Sequence, residues 1–275
     1  MKILITGGSG FVGKNIAKFL DPDYDIYTPT SSQLDFTDAK EVEKYLQNKF
    51  FDIVIHCAIN GGRRNRQDSA FTLQENLKMF FNLMNNRGRF DRFINFSSGA
   101  DFDKTKNINI NNHNLEESYP IQPYDMSKNI ISRILKSCSR CYNFRIYGVF
   151  GEDEDKDRFI ASNIKRYKTH YPIEIHKNRY WDFFYIKDLV NIIKYYIDNP
   201  KYDLDNEMDL IYQDIFSLKD VAELINDLDK HNVEIKVDNN TRDLDYLGNK
   251  NFGVNLPIEL IGLKKGLEEI YNKSI

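Results

Sequence analysis

Tyr124 and Lys128 stand four residues apart, and Ser97-Ser98 lie upstream of them; near the N-terminus runs Thr6-Gly7-Gly8-Ser9-Gly10-Phe11-Val12-Gly13. A separation of four puts the tyrosine and the lysine on one face of a helix. A phenol titrates near ~10 in water and is a poor base at neutral pH. An ammonium beside it, together with the positive charge of an oxidised nicotinamide, lowers that value toward the working range. The lysine can also bind the nicotinamide ribose, and a hydroxyl at the end of the preceding strand can hold a substrate oxygen. Tyr-x-x-x-Lys alone is common in helices; the glycine-rich start and the Ser-Ser strand end give it weight. The combination implies oxidoreductase chemistry on a carbonyl or carbinol.

The glycine spacing has a mechanical reading. Gly7 allows a tight turn after a strand. Gly10 lets backbone N–H groups approach a pyrophosphate, and Gly13 lets the next helix pack closely, its N-terminus facing the phosphates. An acid at the end of the second strand would hold the ribose 2′-OH and repel a 2′-phosphate. Here stands Thr28-Pro29-Thr30-Ser31-Ser32, without an acid, which favours NADP(H) over NAD(H). Asp35 is late for the ribose and is placed near the adenine. His56-Cys57-Ala58 passes alongside the cofactor, with His56 read as a hydrogen-bonded strand-end residue. The expected dinucleotide contacts are Gly7, Ser9, Gly10, Phe11, Val12, Gly13, Thr30, Ser31, Asp35, Phe36, Cys57 and Ala58, joined by Tyr124 and Lys128.

Positioning these groups takes alternating strands and helices. Apolar runs predict strands at Lys2–Thr6, Asp25–Thr28, Phe51–His56, Arg92–Ser97 and Tyr142–Ile146. Helical spacing predicts helices over about 11–20, Asp38–Lys49, Ser69–Asn86 and Pro123–Lys136. That alternation means an α/β fold, a doubly wound parallel sheet of the Rossmann type. Residues 1–150 are read as the dinucleotide-binding domain, regained at about 183–200, where Phe183–Ile186 returns. A small C-terminal substrate lobe takes 151–182 and 201–275, with a helix at Phe159–Thr169 and strands at Ile173–His176 and Val233–Val237. The run Glu152–Asp157 is read as a solvated loop.

With 275 residues the chain can bury a full core. Charged residues make up 29% and the formal net charge is −3, which gives no field for nucleic acid or membrane. No apolar run reaches spanning length and no signal peptide is read, so a cytoplasmic protein is expected. Cys138 and Cys141 lack a second pair or a nearby histidine, so no metal is expected and the thiols are read as free.

On these residues the chain resembles the extended short-chain dehydrogenase/reductase superfamily of nucleotide-sugar epimerases, dehydratases and reductases. The resemblance also rests on Leu34–Asp38, Val54–Ala58, Asn76, Phe96–Ala100, Arg145–Gly151 and Phe183–Asp188. It implies that Tyr124 is the general acid/base, Lys128 its partner and Ser98 the substrate-oxygen serine, with Ser97 the alternative. It places Asn76 by the cofactor. Substrate contacts are expected from Ser98, Gly99, Arg145, Phe159, Arg179 and Trp181. Trp181 stands where the family often has an arginine, and Arg63-Arg64-Asn65-Arg66 is a candidate for a substrate diphosphate.

Dehydratases of this superfamily carry Asp-Glu after the catalytic hydroxyl; Gly99-Ala100 here leaves dehydration without its acid and base. The segment Ser32–Gly62 resembles the GDP-fucose synthase type of epimerase-reductase. That type has a cysteine where Ala100 stands and a histidine after the segment ending at Gly151, so 3,5-epimerisation lacks its groups while ketone reduction remains. The reading is an NADP(H)-dependent reductase of a nucleotide-linked 4-keto-6-deoxy sugar, hexose or heptose. Alternatives are a nucleotide-sugar 4-epimerase with retained NAD and a dinucleotide-sensing binding protein. A homodimer through helices 69–86 and 123–136 is expected from their excess apolar side chains.

Overall fold

Strand β1 (Lys2–Thr6) is apolar without alternation because both of its faces are covered: Ile3, Leu4 and Ile5 have no exposed surface. The chain turns through the glycines into α1 (Phe11–Leu20), which buries Ile16 and Leu20, and then into β2 (Asp25–Tyr27). The computed structural model describes residues 1–20, 22, 24–63, 67–108, 114–200, 204–239 and 241–273. Helix α2 (Ala39–Leu46) starts one residue after its cap: the Asp38 carboxylate accepts from the Lys40 and Glu41 N–H groups at 2.8 and 3.0 Å. β3 (Phe51–His56), α3 (Ala70–Met84), β4 (Phe90–Ser98), α4 (Pro123–Leu135) and β5 (Cys141–Ile146) follow. Pro123 opens α4 at the position where a missing N–H costs nothing.

The sheet order is β2-β1-β3-β4-β5-β9, where β9 is Glu207–Leu210. The pairings β1–β2, β1–β3 and β3–β4 are parallel, and this is a doubly wound Rossmann-type α/β fold. The chain leaves β1 toward β2 and returns across it to β3, so the sheet reverses direction between β1 and β3. One face is filled by Leu4, Val54 and Phe93 of the strands against Val42 and Leu46 of α2, Phe80 and Leu83 of α3, and Ile131 and Leu135 of α4.

The chain divides into two compact units. The first is 1–103, 114–145 and 192–208; the second is 104–113, 146–191 and 209–275. The second unit holds β6 (Val149–Phe150), α5 (Phe159–Lys168), β7 (Ile173–Lys177), β8 (Phe184–Tyr185), α7 (Leu218–Asn226), β10 (Ile235–Asn239) and α8 (Gly262–Lys273). Helix α6 (Ile186–Asp198) runs across the division. The chain re-enters the first unit at Ile192. Phe184 and Tyr185 pair with Val149 and Phe150 inside the second unit. Asp188, fully buried, accepts from the Ile261 and Gly262 N–H groups at 2.7 and 2.9 Å and so holds the start of α8. The charged run is not uniformly solvated: a Glu154 carboxyl oxygen is buried without a hydrogen-bond partner, and burial raises that group to about 8. Among the described residues no helix is long and apolar enough to cross a membrane.

Candidate active site

The glycine turn closes directly on the sheet's reversal point. Gly7 has φ +66°, and a Cβ built there would lie 2.6 Å from the Ala58 nitrogen at the end of β3. Only glycine fits such an approach. At Gly13 a Cβ would meet the Gly7 carbonyl oxygen at 2.5 Å, which explains how closely α1 is seated. At Gly10 the nearest neighbour is that same oxygen at 3.3 Å and nothing else, and Ser9 and Gly10 are exposed. The result is a backbone-lined cradle at a helix N-terminus, open on one side, with the donor chemistry a dinucleotide pyrophosphate needs. Phe11 and Val12 are half-buried as they open α1.

Thr6 ties the two strand ends together. Its hydroxyl accepts from the Ala58 N–H at 3.0 Å and bonds His56 Nδ1 at 2.8 Å. Burial and the charge of Lys128 push His56 down to about 3, so it is a neutral hydrogen-bonded imidazole. Burial pushes the Cys57 thiol up, out of reach of ionisation at neutral pH. Past β2, Thr30, Ser31 and Ser32 are exposed. Gln33 Oε1 accepts from the Thr30 N–H at 2.9 Å and its hydroxyl at 3.1 Å, which leaves the Ser32 hydroxyl to donate to Thr30 at 2.9 Å. No carboxylate belongs to this hydrogen-bonded turn. Asp35 accepts from the Thr37 N–H and hydroxyl, both at 2.8 Å, as part of the turn that leads into α2. Phe36 is buried, and its carbonyl accepts from Asn82 at 2.9 Å. These two residues are tied into the approach to α2.

Asn76 is buried in α3. Its amide oxygen accepts from the Asn60 N–H at 2.8 Å, and its nitrogen donates to the Asn60 carbonyl and to Ser127, each at 3.0 Å. It therefore pins the loop after β3 to α4. That loop reaches Gly62, whose φ is +68° and whose added Cβ would lie 2.7 Å from Cε2 and Cζ of the Tyr124 ring. Gly62 also donates to Asp68 at 3.0 Å. Of the basic run beside it, Arg63 is exposed, while Arg64, Asn65 and Arg66 lie outside the described residues.

Ser97 and Ser98 face different surroundings. Ser97 is buried and bonds Asp101 and Ser132, whereas Ser98 is half-buried at the head of the turn Gly99–Asp101, accepting from the Ala100 N–H at 3.2 Å. On α4, Tyr124 is half-buried and Lys128 buried, with the Lys128 Nζ 5.8 Å from the Tyr124 ring centroid. Lys128 donates to the Phe96 carbonyl at 2.6 Å, which fixes it to the end of β4 two residues before Ser98. Burial lowers Lys128 to about 8, with the Asp101 carboxylate acting the other way. Two hydroxyls and a cation are thus held by one strand end and one helix, an arrangement able to bind an oxygen and exchange its proton.

The expected substrate contacts divide. Gly99 is buried in the turn. Arg145 of β5 is 3% exposed, and its guanidinium donates to Asp101 at 3.0 Å and to Glu207 at 2.9 Å. In the second unit Phe159, Arg179 and Trp181 are half-buried members of one ladder. Arg179 lies 4.1 Å over Trp181, Trp181 stacks on Phe183 at 6.0 Å, and Phe183 stacks on Phe159 at 5.9 Å. Trp181 donates its N–H to the Tyr147 carbonyl at 3.1 Å, so much of it is spent on packing. Sequence reasoning did not single out Asp101, and it used Gly62 only as part of a resemblance. A Gly-Gly pair after a strand was the available signal for Gly62, whereas nothing local marked Asp101, which stands between Ser97-Ser98 and Asp103-Lys104.

Comparison with known proteins adds the following. The model of the NAD dependent epimerase/dehydratase family matches residues 3–211. GDP-L-colitose synthase of Yersinia pseudotuberculosis is 27% identical over 226 residues, 72% of this chain and 73% of that protein. Among solved structures, a GDP-D-glycero-L-gluco-heptose synthase from Campylobacter jejuni, determined in the presence of NADPH, superposes with a TM-score of 0.80 at 16% identity, covering 98% of this chain and 96% of the other. A UDP-glucuronic acid 4-epimerase from Bacillus cereus, in complex with UDP-glucuronic acid and NAD, gives 0.74 at 18% identity over 99% and 98%.

Proposed function

Since this chain belongs to the NAD dependent epimerase/dehydratase family, we propose that it is an NADP(H)-dependent reductase of a nucleotide-linked 4-keto sugar, typically 6-deoxy. The observation that carries the reading is that Ser98 and Tyr124 are half-buried and so in part open to solvent, beside a buried, Phe96-anchored Lys128. Ser98 would hold the ketone oxygen, and Tyr124 would donate the proton that the reduced carbon's oxygen takes up. Lys128 stabilises the phenolate this leaves, because a buried ammonium near the ring acts at low effective dielectric. Bound NADPH supplies the hydride in that reaction. The Gly7–Gly13 cradle would hold its pyrophosphate, and the hydroxyls of Thr30, Ser31 and Ser32 the 2′-phosphate.

The choice of NADP(H) is supported by the acid-free turn after β2, since a carboxylate there would repel the 2′-phosphate. The choice of reduction is supported by Ala100, which supplies no acid or base for a further step. The colitose relative is named for a GDP-linked sugar, and this chain's substrate is taken to be a nucleoside diphosphate sugar in the same way. A homodimer through α3 and α4 belongs to the same reading: Phe71 and Phe81 of α3 are 71% and 41% exposed. The test is NADPH consumption at 340 nm with GDP-, CDP-, UDP- and dTDP-linked 4-keto-6-deoxy sugars. Steady oxidation with one of them supports the proposal, and none with any of them removes it.

A further inference from the structure

Asp101 has no exposed surface, yet it is surrounded by polar partners from three separate elements. Its carboxylate bonds Ser97 at the end of β4. It accepts from Ser132 of α4 at 2.7 Å and from Arg145 of β5 at 3.0 Å. Its carbonyl accepts from Asn129, also on α4, at 2.8 Å. Asp101 closes the turn that Ser98 opens, and Asn129 and Ser132 lie on the helix that carries Tyr124 and Lys128. The Ser132 oxygen accepts from Asn143 at 2.9 Å and lies 2.8 Å from the Ser97 oxygen, so the two hydroxyls that Asp101 holds are side by side. A buried acid is costly unless its lone pairs are met, and here they are.

We propose that Asp101 is a positioning residue for the reaction: it locks the turn presenting Ser98 to the helix presenting Tyr124 and Lys128, and sets a buried negative charge against Ser97, next in the chain to Phe96, whose carbonyl holds the Lys128 ammonium. The proposal rests on the reductase reading for what the spacing serves. A rigid clamp here matters because the Ser98 and Tyr124 hydroxyls must reach one oxygen at once. Misplacement by about 1 Å costs on the order of 10²-fold in such sites. The charged and titratable groups around this pair are Arg145 on β5, Glu207 on β9, His56 and Cys57 at the end of β3, and Tyr124 on α4. Arg145 donates to Asp101 at 3.0 Å, while Lys128 donates to the Phe96 carbonyl at 2.6 Å. Asp101 is raised to about 6 by burial, so it is ionised at neutral pH.

Two variants separate the two halves. Asp101→Asn removes the charge and keeps an oxygen; Ser132→Ala keeps the charge and removes one tie to α4. The first readout needs no substrate: the 13Cε shift of Lys128 in lysine-labelled protein, assigned with Lys128→Met and followed over pH 6–11. The second is kcat against KM with the keto-sugar that supports NADPH oxidation. Asp101→Asn is expected to move the Lys128 midpoint down by at least about half a unit. Ser132→Ala is expected to lower kcat about tenfold with KM nearly kept, and to leave the Lys128 midpoint in place. An unmoved midpoint in folded Asp101→Asn overturns the electrostatic half. Wild-type kcat in Ser132→Ala overturns the clamp, and decides it even where Asp101→Asn does not fold. A wild-type protein that oxidises NADPH with no keto-sugar removes the reductase reading, while the Lys128 titration still decides what Asp101 does.

Discussion

Gly62 lies against the ring of Tyr124 so closely that a methyl group at Gly62 would sit 2.7 Å from the phenol's Cζ. The loop after β3 is therefore a wall of the site. Asn76 from α3 and Asp68 hold it there through its backbone. Gly62→Ala meets two penalties, the contact and a φ of +68° that alanine rarely adopts. The expected result is a loss of about 1–2 kcal/mol in stability with a fall in kcat of tenfold or more as the ring is displaced. Thermal melting and steady-state kinetics measure both. Full activity in Gly62→Ala would show that the ring has room that the structure denies it.

The pH profile follows from two buried groups whose shifts have opposite consequences. Burial lowers Lys128 from 10.5 to about 8, so the ammonium is present below that pH and lost above it. Burial raises Asp101 from 3.8 to about 6, so its charge is present above that pH. Activity as kcat/KM is expected to rise near pH 6 and to fall near pH 8. Stability runs the other way in the upper window. With its folded value below its unfolded one, Lys128 costs stability below pH 8, and that cost is relieved as pH rises from 8 to 10.5. Between 3.8 and 6 the native state keeps the Asp101 proton longer than the unfolded state does, so this group's contribution falls as pH rises. Loss of activity above pH 8 without loss of melting temperature is the distinguishing outcome; a flat kcat/KM to pH 9.5 would contradict it.

Cofactor choice is tested at Thr30. Its hydroxyl and N–H both bond Gln33, in a turn that contains no acid. Thr30→Asp is expected to weaken NADPH by tenfold or more through repulsion of the 2′-phosphate and to leave NADH nearly unchanged. Fluorescence titration of the wild type and the variant with both cofactors gives the ratio. Wild-type protein binding NADH ten times more tightly than NADPH would reverse the assignment and favour the retained-NAD epimerase reading.

What was legible in the sequence was local. The turn at Gly7–Gly13 and the Tyr124–Lys128 pair each lie within one element and its cap, where spacing alone sets which side chains share a face. The strands β1, β3 and β4 were legible for the same reason, as short apolar runs that end in turns. Asp101 was not, because the three elements that satisfy it meet only in the folded chain. The ion pairs of Arg145 were not legible for the same reason: its partners Asp101 and Glu207 are 44 and 62 positions away. Glu154 was misread through its charged neighbours, although its own carboxyl is buried. Helix α6 was not predicted, because Phe183–Ile186 was read only as the return to the first domain, just before the Leu189, Val190, Ile193 and Ile197 stripe that α6 buries.

Assembly gives a further test. Helix α3 exposes Phe71 and Phe81 while burying Phe80 and Leu83 on its other side, so it has apolar surface beyond what its own core takes up. Light scattering at micromolar concentration is expected to give about twice the 32.4 kDa chain mass, and Phe81→Glu to return it to the chain mass. A wild-type mass equal to one chain would remove the dimer.

The most direct measurement of the central claim follows the label, with the protein incubated with NADPH deuterated at C4, in each of its two stereochemical forms, and each of the nucleotide-linked 4-keto-6-deoxy sugars. A reductase places one deuterium at the former carbonyl carbon from one of the two forms, consumes one NADPH per product, and loses roughly two to four decades of rate in Tyr124→Phe. Product free of deuterium from both forms with no net NADPH consumed, or turnover in Tyr124→Phe within threefold of wild type, would contradict the account.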